Sequence, residues 1–461
     1  MRKFIVEDGK SYDSFLECVD DNDYSVQNLD PISILSFLIF GKIFFDETLI
    51  SGIKKEFSHQ KYYLDPKNGF CDISSDDTYL LPEKDISDYE TRFLSFFKSR
   101  IDQLNNRNIS ADLTGGADSR LIVSLLHHFN TPFHLLYSLG SGNKKEAEIT
   151  KKVASQLGKK ITILSPPQIL DQTLLEELFQ LSDAHWDLLT LKPMRYSQKW
   201  RRENGFDLAL TGVGGAIFKD FFWQQDFPFY HKKSINLERL IKLRFHPFEL
   251  NHQWLTEKYS QKYYDLFSTL TNNLQTFKRR KNSYTYDQIY LNVWTKELDS
   301  VIHHAAGHYI DVYSPFLEHP LLDIGYNLPR RHKFFNGFHR KIQTEINPRL
   351  AKLSTSSGNM TVSDFTADKL SDSILYVLDK SKKLKKKISP GTADQKAVKS
   401  LFEKAELEFL KPAIEQAILK LKETGILTPE TPSDASQIPD KLKGRFLTLG
   451  MFITRLENSK K

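Results

Sequence analysis

NISADLTGGADSR, at residues 108–120, is the stretch of this 461-residue chain that decides its fold. Its first five residues are typical of a short strand, and the apolar segment 121–129 that follows is typical of a helix. A glycine-rich turn between a strand and a helix directs backbone N–H groups toward one point at the positive end of the helix. Such a turn binds phosphate oxygens, so the stretch predicts a nucleotide site.

The side chains of this loop add to that prediction. Gly115 and Gly116 let the backbone approach a phosphate, because no Cβ intrudes. Thr114 and Ser119 have hydroxyl groups that donate to phosphate, and Asp118 can hold a magnesium ion bridging the phosphates. The spacing is neither Gly-x-x-x-x-Gly-Lys-Ser/Thr nor Gly-x-Gly-x-x-Gly. A glycine turn capped by Asp and Ser, with no ligand, would explain the same residues.

Short apolar strands alternate with amphipathic helices on both sides of the loop. We predict strands at 108–112, 134–139, 160–164 and 206–210, and helices at 121–129, 145–157 and 170–181. This alternation predicts an α/β fold, a parallel sheet with helices on both faces. Ligands of such sheets bind at the carboxyl ends of the strands, where the loops 114–120, 140–143 and 211–215 converge.

Length and composition set the limits of the architecture. A chain of this length predicts two or three domains, and its 40% hydrophobic content is enough for a packed core. We predict a short N-terminal remnant at 1–90, the α/β domain at 91–365 and a helical C-terminal region at 366–461. The lysine-rich run from Lys380 to Lys387 predicts an exposed loop or a frayed helix end, with docking of an acidic partner as the alternative.

Other compositional features exclude several classes of function. The net charge of +6 is spread over the whole chain and does not indicate nucleic-acid binding. The longest apolar run, 32–45, is about half the length of a membrane span and contains Lys42, so it predicts a core segment. The absence of a signal-peptide pattern and the two distant cysteines, Cys18 and Cys71, predict a cytoplasmic protein without membrane contact. The oligomeric state is left open.

The loop at 114–119 resembles the Ser-Gly-Gly-x-Asp-Ser loop of the PP-loop ATP pyrophosphatases, with Thr114 in the first position. Four further parts of the chain resemble the asparagine synthetase-like family in order and spacing. They are residues 37–57; Glu146 with Val153 and Ala154; the second glycine loop 211–215; and "DVYSPFLEHPLL" at 311–322 with Asn327-Leu328-Pro329. The resemblance covers residues 35–360 and extends to the β-lactam synthetases and lasso-peptide cyclases of this family.

The resemblance implies an AMP-forming carbon–nitrogen ligase that uses ATP and Mg²⁺. Such an enzyme adenylates a carboxylate, releases pyrophosphate and lets an amine or ammonia displace AMP. The substrates implied are a small-molecule or peptide carboxylate, which is adenylated, and an amine or ammonia, which attacks it. Carried over onto this sequence, the implied nucleotide-binding residues are Leu113, Thr114, Gly115, Gly116, Asp118, Ser119, Leu139, Gly140, Gly212, Gly214 and Gly215; the catalytic residues are Lys341, Arg340 and Asp311; and the metal ligands are Asp118 and Asp220.

The sequence departs from the family in two respects that bear on function. The glutaminases of this family use an N-terminal cysteine, whereas residue 2 is Arg and about a hundred residues precede the phosphate loop, so we expect no glutamine hydrolysis. In the second glycine loop, Ala216 replaces an acidic magnesium ligand and Val213 replaces a Glu or Tyr. A relative that binds nucleotide or a partner without turnover is therefore the alternative function, and sulfur transfer to RNA is disfavoured by the lack of a catalytic Cys pair.

Three further groups of residues suggest sites less specifically. His303, His304 and His308 form a histidine group in which the last two lie one helical turn apart, which is compatible with a metal but more typical of packing or surface. Asp183, His185 and Trp186 stand where relatives contact substrate, although a capping Asp beside a buried Trp is the simpler interpretation. The aromatic segment 221–230 is compatible with an acceptor pocket and with core.

Overall fold

The computed structural model describes residues 2–57, 61–65, 69–73, 88–139, 144–165, 170–226, 235–279, 281–356, 358–388 and 404–458. The N-terminal region contains an antiparallel sheet of order β2-β1-β3 and a separate hairpin of two strands. The bounds of these strands are β1 Arg2–Val6, β2 Ser11–Tyr12, β3 Ile53–Phe57, β4 Lys61–Asp65 and β5 Gly69–Ile73.

A five-stranded parallel sheet of order β10-β9-β6-β7-β8 forms the centre of the protein. Its strands are β6 Ile109–Asp112, β7 His134–Ser138, β8 Ile161–Leu164, β9 Leu208–Leu210 and β10 Asp311–Tyr313. Ala111 at the middle of β6 pairs with Leu135 on one side and Leu210 on the other. The predicted α/β fold with a parallel sheet is confirmed, and β10 is the strand that the periodicity did not predict.

Helices flank this sheet and fill the rest of the chain. Before the loop and around the sheet lie α1 Phe15–Asp20, α2 Pro31–Phe40, α3 Tyr89–Gln103, α4 Ala117–His128, α5 Lys144–Gln156, α6 Gln172–Ser182 and α7 Lys192–Glu203. Then follow α8 Leu237–Leu240, α9 Glu257–Gln275, α10 Asn282–Ile289, α11 Lys296–Gly307, α12 His319–Asn327, α13 Arg330–Lys333, α14 Gly337–Ile346 and α15 Pro348–Ala351. The C-terminal helices are α16 Thr366–Ile388, α17 Lys404–Glu423 and α18 Asp440–Asn458.

The apolar run at 32–45 folds as the core helix α2 and the segment after it. Asp30 caps α2 by accepting from Ser33 N at 2.7 Å, Pro31 stands in the first turn, and Gly41 ends the helix with φ of 73°. Residues 33–40 are all buried, as predicted for a core segment. In the described ranges, no helix is long and apolar enough to cross a membrane.

The N-terminal and C-terminal regions pack on the sheet domain and on each other. Helix α2 packs against α9 and α18, and Nη1 of Arg445 in α18 donates to the carbonyl of Leu38 at 2.6 Å. Asp183, after α6, accepts from Ser14 Oγ and from the backbone N–H groups of Phe15 and Leu16, so it caps α1. One hydrophobic cluster runs through all three regions. The boundaries at 90 and 365 stay predictions.

The lysine-rich run belongs to helix α16, which extends without a break to Ile388. The run was predicted as an exposed loop or a frayed helix end; the structure places it at the end of a helix, in the last two turns, so the loop prediction was wrong. In the C-terminal region, Pro429, Pro432 and Pro439 all lie between α17 and α18, as expected of residues that interrupt helices.

Candidate nucleotide site

The phosphate loop joins the carboxyl end of β6 to the first turn of α4. Oγ of Ser119 accepts from the backbone N–H of Thr114 at 2.9 Å and lies 2.9 Å from the Thr114 hydroxyl. The N–H of Gly116 donates to that same hydroxyl at 3.2 Å. These bonds hold the loop against the N-terminus of α4, where unpaired N–H groups and the helix dipole attract anions.

Two basic side chains meet Asp118, the carboxylate of this loop. Nζ of Lys219 donates to Oδ2 at 2.6 Å, and Nε2 of His339 lies 2.8 Å from Oδ1. The short 3₁₀ turn Gly215–Phe218 brings Lys219 into reach. Phe218, at the end of that turn, stacks on Phe338 of α14 with ring centroids 4.7 Å apart. Lys219 follows Phe218 in sequence, and His339 follows Phe338. The stack of the two phenylalanines therefore places Lys219 and His339 at the Asp118 carboxylate.

The pKa values of this cluster follow from burial and from the neighbouring charges. Burial raises the pKa of the Asp118 carboxyl, but the Lys219 ammonium and the His339 ring lower it more, so the pKa lies well below its ordinary value. Burial lowers the pKa of the His339 ring, and Asp118 opposes this only in part. At neutral pH the cluster is therefore an ionised carboxylate with a neutral histidine beside it.

The second glycine loop packs directly on the phosphate loop. A Cβ at Gly212 would lie 2.8 Å from the backbone nitrogen of Ser119, and a Cβ at Gly215 would lie 2.7 Å from Cγ of Asp118. Gly214 has φ of +88°, and a Cβ there would meet Leu317 at 2.5 Å. The predicted residues of the two loops are thus brought together, and a Cβ at any of the three glycines would collide with the backbone of Ser119 or with the side chain of Asp118 or Leu317.

Gly115 is also surrounded by protein. Its N–H donates to Oε1 of Glu146 at 2.8 Å, and its carbonyl accepts from the N–H of Ser356 at 2.9 Å. A Cβ at this position would lie 2.7 Å from that of Ser356. The glycine was predicted to make room for phosphate, and in the structure it makes room for Ser356 and Glu146. Because the N–H of Gly115 already donates to the Glu146 carboxylate, it is not available to a bound anion.

A cavity of about 430 Å³ opens at the carboxyl ends of β6, β7 and β9, next to the phosphate loop. Its lining combines the loop and strand ends with α7, α11 and β10: Asp112, Leu113, Thr114, Asp118, Ser119, Leu136, Tyr137, Ser138, Pro193, Met194, Ser197, Gln198, Thr211, Gly212, Val213, Ile302 and Val312. The volume and the mostly apolar lining are typical of a small-molecule site.

Two polar features of the cavity can recognise a ligand. Arg201 is fully buried and donates to Ser110, to Gln198 and to Asp112, so it fixes the two lining side chains Gln198 and Asp112. Oγ of Ser138 is buried and has no hydrogen-bond partner in the described part of the chain. A buried hydroxyl without a partner is costly, and a bound polar ligand would satisfy it.

Lys341 and Arg340 lie on α14 but do not face the cavity. Lys341 is half-exposed and forms an ion pair with Glu90, and its Nζ lies 6.0 Å from the centroid of the Tyr89 ring. Arg340 is buried; it pairs with Asp372 at 2.9 Å and donates to the carbonyl of Ser363 at 2.7 Å. The helical neighbour that does reach the site is His339. Catalysis by Lys341 stays a prediction, and the geometry does not support it for Arg340.

Asp311 and Asp220 also lie away from the cavity lining. Asp311 begins β10 and pairs with Arg107 at 2.7 Å, so it lies at the amino ends of the parallel strands, opposite the phosphate loop. Contact of Asp311 with substrate is therefore not supported. Asp220 is buried, and its charge acts on Arg244 and Tyr376. The sequence predicted that Asp220 points toward the metal, whereas in the structure Lys219 is the residue that contacts Asp118.

The predicted adenine-binding segment is only partly described. The N–H of Leu139 donates to the carbonyl of Leu164 at 2.6 Å, which extends the pairing of β7 with β8, so this N–H is not free for adenine. Gly140 lies outside the described residues. The neighbours Tyr137 and Ser138 line the cavity in its place.

The less specific candidates have structural roles. Asp183 caps α1, and the Trp186 ring lies 4.9 Å from the Lys42 ammonium. His304 and His308 contact each other with ring centroids 5.3 Å apart. Of the residues that the structure describes, no three His, Cys, Asp or Glu side chains converge as a protein-only metal site requires.

Tyr313 and Glu318, both in the segment 311–322, contact each other. The hydroxyl of Tyr313 donates to the Glu318 carboxylate, which also accepts from Nε of Arg100 at 2.8 Å. Burial raises the pKa of Glu318, and burial and Glu318 together raise that of Tyr313. This buried network holds α3, β10 and the start of α12 together, so the pair of Tyr313 and Glu318 has a structural role.

Magnesium fits this site in part. The ion usually takes one or two carboxylates together with phosphate oxygens, and Asp118 is the carboxylate at the loop that such an ion would use. Lys219 and His339 already contact it. Sequence reasoning missed Lys219, His339 and Ser356; the signal that pointed toward Lys219 was its place four residues after the second glycine loop.

The comparisons with known proteins agree with this geometry. A family model described as asparagine synthase matches residues 102–349, which is more than half of the chain. This range contains the phosphate loop, the second glycine loop, β10 and α14. No curated protein matches the sequence. The chain therefore belongs to the asparagine synthase family.

Proposed function

We propose that this chain joins a carboxylate to an amine or ammonia through an acyl-adenylate. A carboxylate oxygen attacks the α-phosphorus of ATP, the bond from that phosphorus to the bridging oxygen breaks, and pyrophosphate leaves. The nitrogen then attacks the acyl carbon, AMP leaves, and the nitrogen loses a proton. Membership of the family supports ATP-dependent amide ligation in general; the adenylate is our proposal.

The observation that carries this proposal is the convergence of Lys219, the hydroxyls of Thr114 and Ser119, and the N-terminus of α4 beside the cavity. Pyrophosphate gains negative charge as it leaves, and a fixed ammonium with oriented donors stabilises that charge. Lys219 is therefore the residue that we assign to the leaving group. It is held in place before substrate binds, which limits the reorganisation that the reaction requires.

The cavity supplies the nucleoside part of the site in this proposal. Tyr137 and Ser138 at the end of β7 would contact the base, and the unsatisfied hydroxyl of Ser138 would donate to it or accept from it. Asp112, fixed by Arg201, is an acceptor suited to the ribose hydroxyls. These contacts account for the buried polar groups on an otherwise apolar wall.

Asp118 would hold magnesium that arrives with the nucleotide, and that ion would neutralise charge on the phosphates. The chain's own contribution is to keep Asp118 ionised: its low pKa leaves the carboxylate available throughout the physiological range. Lys219 would then have two partners, the Asp118 carboxylate that already holds it and the phosphate of the nucleotide.

The nitrogen would come from ammonia or from an amine. Burial raises the pKa of the Cys18 thiol to about 12, so this thiol is not a nucleophile at neutral pH. The chemistry at the cavity does not require glutamine.

The test is incubation with ATP, Mg²⁺ and a panel of carboxylates, with hydroxylamine as a general nucleophile. We expect AMP and pyrophosphate in equal amounts and a hydroxamate of one acid. ADP and phosphate as products would overturn the proposal.

Nucleotide binding without turnover is the second candidate. It is favoured by the double engagement of Asp118 and by Ala216, which offers no carboxylate to a second metal ion. Tight ATP binding, no pyrophosphate release with any acid, and no gain from Ala216→Asp would together support this candidate.

A further inference from the structure

Helix α16 carries an apolar row that the described part of the chain leaves exposed. Leu370, Ile374, Val377 and Leu378 are 66%, 56%, 61% and 50% exposed. Their spacing of four, three and one residues places them on one face of the helix. Single exposed apolar residues are ordinary, but four in a row on one face are typical of an interaction surface.

The helix is fixed by its other face. Asp372 is buried and pairs with Arg340 of α14, and it accepts from the Thr361 hydroxyl at 2.7 Å. The Tyr376 ring meets Phe335 with centroids 5.9 Å apart. The apolar row is therefore held outward by anchored neighbours on the same helix.

The charge of α16 changes along its length. The segment 380–388, its last two turns, contains Lys380, Lys382, Lys383, Lys385, Lys386 and Lys387 and no acidic residue. The preceding part of the helix, 366–379, contains Asp368, Asp372 and Asp379 together with Lys369, which is paired with Asp364. At 1.5 Å per residue, the centres of the apolar row and of the lysine block lie about 15 Å apart along the axis.

We propose that α16 is the docking helix for an acidic partner protein, which covers the apolar row with its own apolar residues and meets the lysine block with carboxylates. Complementary charge fixes the direction in which the partner lies along the helix and speeds its association, and the apolar contact supplies most of the affinity.

Two other occupants fit the charge pattern less well. An anionic membrane favours helices with lysines beside the apolar row along their whole length, whereas here the row and the lysines follow one another. In a symmetric pair of α16 helices, six lysines would meet only Asp368 and Asp379, because Asp372 is buried against Arg340. An acidic protein matches both halves of the helix.

The docked partner would lie close to the candidate site. Asp372 of α16 holds Arg340, which is the residue after His339, and His339 contacts Asp118. The segment before α16 includes Ser356, which bonds to Gly115 of the phosphate loop. This position suits a partner that brings one of the two molecules to be joined, although docking itself does not depend on the proposed reaction.

The test uses a fluorescent synthetic peptide with leucines at helical spacing followed by a block of glutamates, titrated against the full chain. We expect saturable binding that weakens with salt. Ile374→Ser with Leu378→Ser, and separately Lys382→Glu with Lys386→Glu, should each weaken binding about tenfold. Leu419→Ser, an exposed leucine on α17, and Lys152→Glu, an exposed lysine on α5, are the matched controls and should bind as the unchanged protein does.

Circular dichroism confirms that each variant is folded. The proposal is overturned if the acidic peptide does not bind, or if a peptide with lysines in place of the glutamates binds equally well. It is also overturned if the same substitutions instead abolish binding to vesicles of anionic phospholipid, or convert a dimer to a monomer in light scattering.

Discussion

At the scale of single residues, the site depends on what contacts Asp118. Lys219 contacts this carboxylate directly, whereas Lys341 is ion-paired with Glu90 at the surface. We expect Lys219→Met to lower the rate of pyrophosphate release about a hundredfold or more, since it removes charge stabilisation of the leaving group. Lys341→Met, the matched control, should change it little.

Steady-state pyrophosphate release, with a thermal melt of each variant, measures this difference. The reverse result, a large loss for Lys341→Met and a small one for Lys219→Met, would show that the family-derived prediction was right and that Lys219 serves only to neutralise Asp118.

Gly215 gives a second prediction at this scale. A Cβ at this position would lie 2.7 Å from Cγ and Oδ1 of Asp118, so Gly215→Ala must displace the carboxylate. We expect weaker pyrophosphate binding by calorimetry, with the fold retained. Gly307→Ala in α11 is the control, because nothing lies within 4 Å of the Cβ it adds. Equal affinities for the two variants would mean that Asp118 does not contribute to phosphate binding.

Lys42 is a buried cation outside the site. Burial lowers its pKa from 10.5 to about 8, and Nζ lies 3.8 Å from the Trp294 ring centroid. The unfolded chain therefore binds more protons than the folded one between pH 8 and 10.5, so the free energy of unfolding rises with pH across that window. The rise attributable to Lys42 is at most about 3 kcal/mol.

Urea unfolding of the unchanged protein and of Lys42→Met at about pH 7 and about pH 10 isolates this contribution from other titrating groups. We expect the stability of the unchanged protein to improve relative to the variant as the pH rises. A difference that stays constant with pH would mean that Lys42 keeps an ordinary pKa when folded.

At the scale of elements, periodicity predicted the parts of the fold that repeat. The strands at 109–112, 134–138, 161–164 and 208–210 were each placed to within about two residues, because short apolar runs between amphipathic helices leave little choice. Strand β10 has three residues and was hidden inside a signature segment. Contacts between distant elements, such as Phe218 on Phe338, have no period, so Lys219 and His339 were missed.

The contact between α14 and α16 carries a prediction of its own. Arg340 was predicted to be catalytic from its place in the sequence, whereas its guanidinium holds buried Asp372. Arg340→Leu leaves that carboxylate without its cation, and we expect a loss of about 3–5 kcal/mol in the free energy of unfolding. Arg349→Leu, an exposed arginine of α15, is the control and should lose little. A stable Arg340→Leu protein with no activity would restore the catalytic role.

At the scale of the whole molecule, the sequence predicted three regions, and the structure packs them around one core. The cap that Asp183 provides to α1 and the bond from Arg445 to Leu38 each join residues more than 160 positions apart. Hydrophobic patterning indicates that a segment is buried but not which distant segment covers it. The family resemblance gave the order of the loops, and the fold added the cavity they enclose.

The central claim is that ATP is split between its α and β phosphates to make an acyl-adenylate. The most direct test uses the carboxylate identified with the hydroxylamine panel, labelled with ¹⁸O in its carboxyl group, in a single incubation with ATP and Mg²⁺. Attack by the carboxylate on the α-phosphorus predicts that ¹⁸O appears in AMP, by mass spectrometry, in proportion to amide formed. Label confined to inorganic phosphate, or amide formed with unlabelled AMP, would contradict the account.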